Sequence, residues 1–388
     1  MIGLQRFCIK KLSLPVCIIA LLGMLLNCGG KNSAAPWRPG KPMAKEKIKI
    51  GVLHITDPFT ENSGYSYAHQ QGIMDMQKEL GLKDEQLIVK INVQDSNVAG
   101  IESAIRDCIA LGANIIIATS WGYMDSCEKL SAEFPQVLFA HGSGYKYNDT
   151  NFTNYFGRIY QARYLSGIAA GLRTKTGRIG YVAAWSKDNS EETGSLNAFA
   201  LGVEQANPSA KIYVKVTYSW YDPMGESSAA RSLIAEGCDV IAQGTDSATP
   251  QVEAEKAGVW GIGYNTDMFH EAPAAVITSA IWHWGAYYTY LVRGVMDGSF
   301  TTVPYFGGLA EGMVDISAIA GWLVVPGTAE AVEAARNRIL REGFNVFDGV
   351  LETNDGKTVG KPGATLSDRD ITENMNWYYR NIVEEKDL

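Results

Sequence analysis

A stretch of twenty residues at 102–121, ESAIRDCIALGANIIIATSW, constrains the chain most, because it is written twice. Moved along by 125 positions, Ser103, Ala104, Arg106, Ile109, Ala110 and Gly112 meet Ser228, Ala229, Arg231, Ile234, Ala235 and Gly237. Asn114-Ile115-Ile116 likewise meets Asp239-Val240-Ile241. Each copy reads as a helix, a glycine stop and a buried strand. Ile101, Ala104, Ile105, Cys108 and Ile109 recur at helical spacing. Gly112 suits the left-handed turn that ends a helix, and Ile115 to Ala118 leaves no residue for a wet face.

The echo continues upstream, where Ile50-Gly51-Val52 resembles Ile179-Gly180-Tyr181, and Ala68 and Gly72 resemble Ala198 and Gly202. A period of that length is a whole βαβαβ half-sheet, not a solenoid unit. The expected fold class is therefore α/β, with two Rossmann-like lobes in tandem. Ligands of open α/β sheets sit beyond the carboxyl ends of the strands. Facing lobes would thus make a closable cleft lined by Ser120-Trp121 and Thr245-Asp246.

At 388 residues, 46% apolar and 20% charged, the chain has enough material for two cores. Arg6, Lys10 and Lys11 precede an apolar run at 12–26 that contains Pro15. That pattern is a secretory signal, too short for a comfortable membrane span. The run ends in Leu25-Leu26-Asn27-Cys28-Gly29-Gly30, which looks like a lipobox with Cys28 as the acylated residue of a bacterial lipoprotein. Residues 31–44, bearing Pro36, Pro39, Gly40 and Pro42, read as a flexible tether. Loss of the three basic signal residues takes the formal charge from −8 to −11, which argues against nucleic acid as a partner. Of six cysteines only Cys108, Cys127 and Cys238 remain beyond the lipobox. Their spacing fits no metal motif and their odd number no disulfide framework.

The expected division is 1–27 signal, 28–47 lipidated linker, 48–156 with 279–304 as lobe one, and 157–278 with 305–388 as lobe two. Lobe one is short of elements relative to its twin, so the helix bearing Tyr288, Leu291, Val292, Val295 and Met296 is expected to return to it. Three crossings between the lobes, near 155–157, 279 and Pro304, would form a hinge. The passage at 141–154 is polar and reads as a connection.

Enzyme chemistry finds no support. A phosphate loop, a GxGxxG after the first strand, HExxH and a nucleophile elbow are all missing from the sequence. The five histidines stand singly, and Glu191-Glu192 read as the solvated start of a helix. No catalytic group, metal or cofactor is expected. Aromatic residues cluster instead in loops after strands: Tyr65, Trp121, Tyr123, Trp185, Trp220, Tyr221, Tyr264, Trp282 and Trp284. A ring stacked on a flat heterocycle contributes about 1–3 kcal/mol. Two rings with a few hydrogen bonds could approach the roughly 8 kcal/mol of micromolar affinity. Asp246, Asn265 and Asp267 stand at the same strand ends, able to accept N–H groups or to cap helices.

Gly64-Tyr65-Ser66-Tyr67, Thr119-Ser120-Trp121-Gly122-Tyr123-Met124, Trp220-Tyr221-Asp222-Pro223, Gly244-Thr245-Asp246-Ser247 and the run from Glu255 to Gly263 together resemble the BMP (basic membrane protein), PnrA-like family. These are substrate-binding lipoproteins of ABC importers. The resemblance implies a type I periplasmic-binding-protein fold, a purine ligand, and delivery to a permease driven by ATPase subunits. It implies a protein held at the cell membrane by its N-terminal lipid, facing the periplasm or exterior. Nucleoside-binding members place an aspartate where Asn265 stands and a lysine near Trp282, both serving the ribose. Their loss here weakens the case for a nucleoside and points to a purine base, adenine-like, with a purine nucleoside as the alternative. The expected ligand set is Tyr65, Ser120, Trp121, Gly122, Tyr123, Trp185, Trp220, Asp246, Asn265, Asp267 and Trp282. Tyr65, Trp121 or Trp220 would stack and Asp246 or Asn265 would read the edge. A sugar or amino-acid receptor, and an adhesion or signalling lipoprotein, are the rival readings.

Overall fold

Both copies of the repeat form a helix and a buried strand. The first runs Val98–Ala110 then Ile115–Ala118, the second Pro223–Ala235 then Val240–Gln243, so every bound moves by the same 125 positions. The caps repeat too. Asn97 accepts from Gly100 N and Asp222 from Gly225 N, which satisfies one orphan donor at each helix start. Gly112 (φ 97°) and Gly237 (φ 88°) take the left-handed conformation at each stop.

The computed structural model describes residues 37–60 and 62–384; the signal, Cys28 and the tether up to residue 36 lie outside them. The chain begins with β1 (Ile50–Leu53), α1 (Tyr65–Leu80), β2 (Leu87–Lys90) and α2 (Val98–Ala110). It continues with β3 (Ile115–Ala118), α3 (Met124–Glu133), β4 (Leu138–Gly142) and β5 (Phe152–Gly157). The second half follows: α4 (Ile159–Arg173), β6 (Arg178–Ala183), α5 (Ser190–Ala206), β7 (Lys211–Val216) and α6 (Pro223–Ala235). Then come β8 (Val240–Gln243), α7 (Thr249–Ala257), β9 (Trp260–Asn265), β10 (Val276–Trp282), α8 (Trp284–Asp297), β11 (Tyr305–Gly307) and β12 (Val314–Ile316). The last elements are α9 (Thr328–Arg341), β13 (Asp348–Glu352), β14 (Thr358–Thr365), α10 (Asp368–Thr372) and β15 (Ile382–Val383).

One sheet has the order β11-β5-β4-β3-β1-β2 and the other β12-β10-β9-β8-β6-β7-β15, with β13-β14 a separate hairpin. Every pairing in the two large sheets is parallel except β10 with β12. Parallel strands are buried on both faces and read as apolar runs. Ile115 and Ile117 join one core and Ile116 and Ala118 the other, all at 0% exposure. Each such isoleucine contributes about 1.5–3 kcal/mol of burial.

The chain passes between the sheets three times, as the sequence leads one to expect, but at shifted positions. Pairing of β10 with β9 persists to Ile281↔Asn265, so the chain leaves the second sheet after Trp282 and not near 279. α8 then packs on α1 in lobe one. β11 pairs with β5 through Gly307, so the final return falls after residue 307 and not at 304. The polar stretch at 141–154 hides the start of β5, whose six residues are all buried. The tether is also shorter than expected. Trp37 is buried with its ring 6.2 Å from Phe300, and Met43 N donates to Val295 O, so the chain is docked on lobe one well before residue 48.

Candidate functional site

Lobe one builds its side of the cleft at the ends of β1, β2, β3 and β4. Gly64 (φ 93°) turns the chain into α1 and sets Tyr65 at the first helical position. The Tyr65 hydroxyl donates to Thr119 O at 2.7 Å, while Thr119 Oγ1 donates to Leu53 O at 2.7 Å. Ser120 Oγ donates to Asp95 Oδ2 at 2.7 Å, and buried His141 donates Nε2–H to Ser120 O at 2.7 Å. Burial lowers the His141 pKa to about 4, which keeps the ring neutral. Trp121 follows with 59% of its surface exposed. An exposed indole on a loop with this many hydrogen bonds is a ready platform for a flat ligand.

Lobe two answers from the ends of β7, β8 and β9. Gln243 Nε2 donates to Thr245 O and to Ser247 O, both at 2.7 Å, and Ser247 Oγ donates to Glu226 Oε2 at 2.6 Å. Asp246 N donates to Trp220 O at 2.8 Å. Asn265 Nδ2 donates to Asp246 Oδ1 at 2.7 Å. Asn265 is fully buried at φ 65°, a strained region that asparagine tolerates better than most residues. Beneath them lies Arg163, fully buried, donating to Gln243 O at 2.7 Å with its guanidinium 3.7 Å from the centre of the Tyr264 ring.

The paired carboxylates Glu191 and Glu192 do begin a helix, α5, but not a solvated one. Glu192 is 2% exposed, its carboxylate pressed against Gly244, where a Cβ would lie 2.1 Å from Oε1. Burial pushes both carboxyls up to about 7, against the opposing field of Arg163.

Between the walls is an inner chamber of about 110 Å³, lined by Ile55, Tyr65, Asp95, Ser120, Trp121, Ser143, Glu191, Trp220, Asp246 and Tyr264. Asp95, Trp121, Ser143, Glu191 and Trp220 also line an outer vestibule of about 810 Å³. Both lobes contribute to each. The lobes touch at the edge, where a Cβ on Gly64 would lie 2.9 Å from Asp246 O.

Of the residues expected from sequence, Tyr65, Ser120, Trp121, Trp220 and Asp246 come together in the chamber. Trp185 lines the vestibule alone. Asn265 stands one layer back, holding Asp246. The other four line neither the chamber nor the vestibule. Tyr123 is fully buried in lobe one with its hydroxyl on Val93 O at 2.5 Å, and Gly122 runs its backbone against Asp95. Asp267 caps a short turn by accepting from Phe269 N at 3.1 Å. Trp282 stacks on Trp284 with centroids 4.4 Å apart. Asp267 and Trp282 instead line a separate hollow of about 540 Å³. Sequence reasoning missed Ile55, Asp95, Ser143 and Glu191 in the chamber. Asp95 and Ser143 follow strands and could have been found by the same rule; Glu191 enters from a helix start and could not.

A ligand-sized hollow walled by two lobes is the layout of a two-lobed solute receptor. The family model "ABC transporter substrate-binding protein PnrA-like" matches residues 48–330, and the chain belongs to that family. It is 32% identical over 346 residues to a purine-binding protein of Brucella abortus, covering 89% of this chain and 96% of that one. It is 31% identical over 310 residues to the putative ABC transporter glucose-binding protein TsgA13 of Haloferax volcanii, covering 80% and 76%. Among solved structures, the transcriptional activator of the comK gene from Bacillus halodurans superposes with TM-score 0.65 at 18% identity, over 76% of this chain and 99% of that one. A solute-binding protein of an ABC transporter system from Conexibacter woesei gives TM-score 0.64 at 18% identity, over 77% and 98%. These likenesses show the type I periplasmic-binding-protein fold. The family and the fold are those of solute-binding proteins rather than enzymes. No helix among the described residues is long and apolar enough to cross a membrane.

Proposed function

We propose that this substrate-binding protein captures a purine base between its lobes and presents it to the permease of an ABC importer powered by separate ATPase subunits. The observation that carries this reading is the chamber's composition: four aromatic rings and three carboxylates, with no cationic side chain among its described lining residues. Such a wall suits a flat, uncharged ring system rich in N–H donors and disfavours an anion such as a nucleotide. Trp121 and Trp220 supply stacking faces, one from each lobe, and Asp246, held by Asn265, accepts from the ring edge. Ligand that touches both lobes favours the closed state by its differential affinity for it. The purine-binding Brucella relative supports the same choice.

Cys28 is proposed as the lipid attachment point after removal of 1–27, which would hold the receptor at the membrane. Cys28→Ser should release it to the soluble fraction. A glucose receptor is the second reading, favoured by the name of the Haloferax relative and by the habit of indoles to pack on sugar faces. A thermal-shift series with adenine, guanine, hypoxanthine, their nucleosides and glucose separates the two. Stabilisation by a base and none by glucose is expected. Stabilisation by glucose alone would reverse the choice, and a flat series would favour a protein that carries no small solute.

A further inference from the structure

Glu191 walls both the chamber and the vestibule, and it does so from a helix rather than a loop. Asn189 caps α5 by accepting from Glu192 N at 3.0 Å. The two acidic side chains of the first turn then part: Glu192 goes beneath Gly244 and Glu191 to the ligand hollow. No donor among the described residues ties the Glu191 carboxylate down; its one opposing field is that of Arg163 on α4, whose Nη1 is committed to Gln243 O. Inside the chamber it faces Tyr65 of α1, Tyr264 of β9, and the loop carboxylates Asp95 and Asp246. On the vestibule side the charged groups are Asp188 and, from the C-terminal segment, Asp368, Arg369 and Glu373. The carboxylate is thus a hydrogen-bond acceptor without a partner, set in a hollow shaped for a molecule that carries donors.

We propose that the Glu191 carboxylate accepts an N–H from the bound base, so that capture is coupled to loss of a proton from this side chain. The proposal rests on the purine reading above. Burial holds the empty site's carboxyl at about 7, so near neutral pH a large share of unliganded molecules carries the proton. The ionised carboxylate accepts through a charge-assisted bond and the protonated carboxyl only through a weaker neutral one, so the apparent affinity follows the ionised population. The sign follows: adenine binds more tightly as pH rises through about 7 and is released as pH falls. Between about pH 8 and about pH 6 the ionised fraction, and with it the affinity, falls roughly tenfold.

The test is calorimetry of the mature chain with adenine, which has no group titrating in that range, at both pH values and in two buffers of different ionisation heat. Wild type should bind roughly tenfold more weakly at the lower pH and release a fraction of a proton on binding near pH 7. Glu191→Gln should bind more weakly than wild type at the higher pH and lose the dependence. A flat profile in wild type, or a slope that survives in Glu191→Gln and so belongs to Glu192, overturns the proposal while leaving the purine reading intact. Affinity that rises on acidification overturns it too, since Glu191 would then be a donor. No adenine binding at either pH sinks both. The proton release is read on wild type, so the outcome stands even where the variant folds poorly.

Discussion

Asn97 and Asp222 cap α2 and α6 in the same way, each accepting from the N–H three residues on, and β3 and β8 follow after equivalent left-handed glycines. Beyond those strands the lobes part. After β3 comes Ser120, bonded to Asp95, and a largely exposed indole at Trp121. After β8 comes Asp246, bonded by a buried asparagine. At these two strand tips, then, lobe one presents an indole face and lobe two a carboxylate edge. The scaffold is duplicated, whereas the groups at the strand tips have diverged, because only those groups are free of the packing that holds the sheets.

If that division of labour holds, the largest effect should come from the edge. Asp246→Ala removes a chamber carboxylate and also strands the buried amide of Asn265. Adenine affinity should fall roughly 100-fold, about 3 kcal/mol, with a modest loss of melting temperature from the orphaned amide. An affinity within threefold of wild type in calorimetry would put the edge elsewhere. Trp121→Ala comes next: about 1–3 kcal/mol of stacking, roughly 5- to 150-fold in affinity, with almost no change in melting temperature because the indole is already exposed. A large drop in melting temperature with unchanged affinity would make Trp121 a structural residue.

The lobes should also answer pH in opposite senses. Lobe one buries His54 and His141, whose pKa values burial lowers to about 4. Their unfolded forms take up protons first, so lobe one loses stability as pH falls from about 6.5 towards 4. Lobe two buries Glu192 and largely encloses Glu191, both raised to about 7. There the folded form keeps protons that the unfolded form has shed, so that contribution is present below about 4.5 and fades as pH rises to 7. Hydrogen exchange corrected for intrinsic rates should show α1 to β4 opening first on acidification. Uniform loss of protection across both lobes would contradict this. The smallest effects are the caps: Asn97→Ala and Asp222→Ala should each cost about 1 kcal/mol, a few degrees of melting temperature at most, and leave affinity within twofold. Markedly unequal costs would show that the two copies are not energetically alike.

Much of the fold was legible because the duplicated helix and strand carry their signals locally: apolar spacing, a cap residue and a glycine stop. What the sequence hid depends on distant partners. β5 could not be read from its polar lead-in, since its strand pairing comes from β4 and β11. The crossing after β10 depends on how far the ladder to β9 extends. At the site, the rule that ligand groups follow strands named Tyr65, Ser120, Trp121, Trp220 and Asp246, which the fold gathers around one hollow. It also collected Tyr123 and Trp282, aromatic residues at or near strand ends that the core claimed. Glu191 escaped because acidic residues at a helix start are ordinarily solvated; only the approach of the other lobe closes over it.

The most direct test is a calorimetric titration of the mature protein with adenine, set beside the same titration with glucose. Saturable binding of adenine in the micromolar range or tighter, weakened roughly 100-fold by Asp246→Ala, and no heat from glucose are expected. Binding of glucose without adenine, or adenine binding that neither Asp246→Ala nor Trp121→Ala weakens, would contradict a purine held between the two lobes.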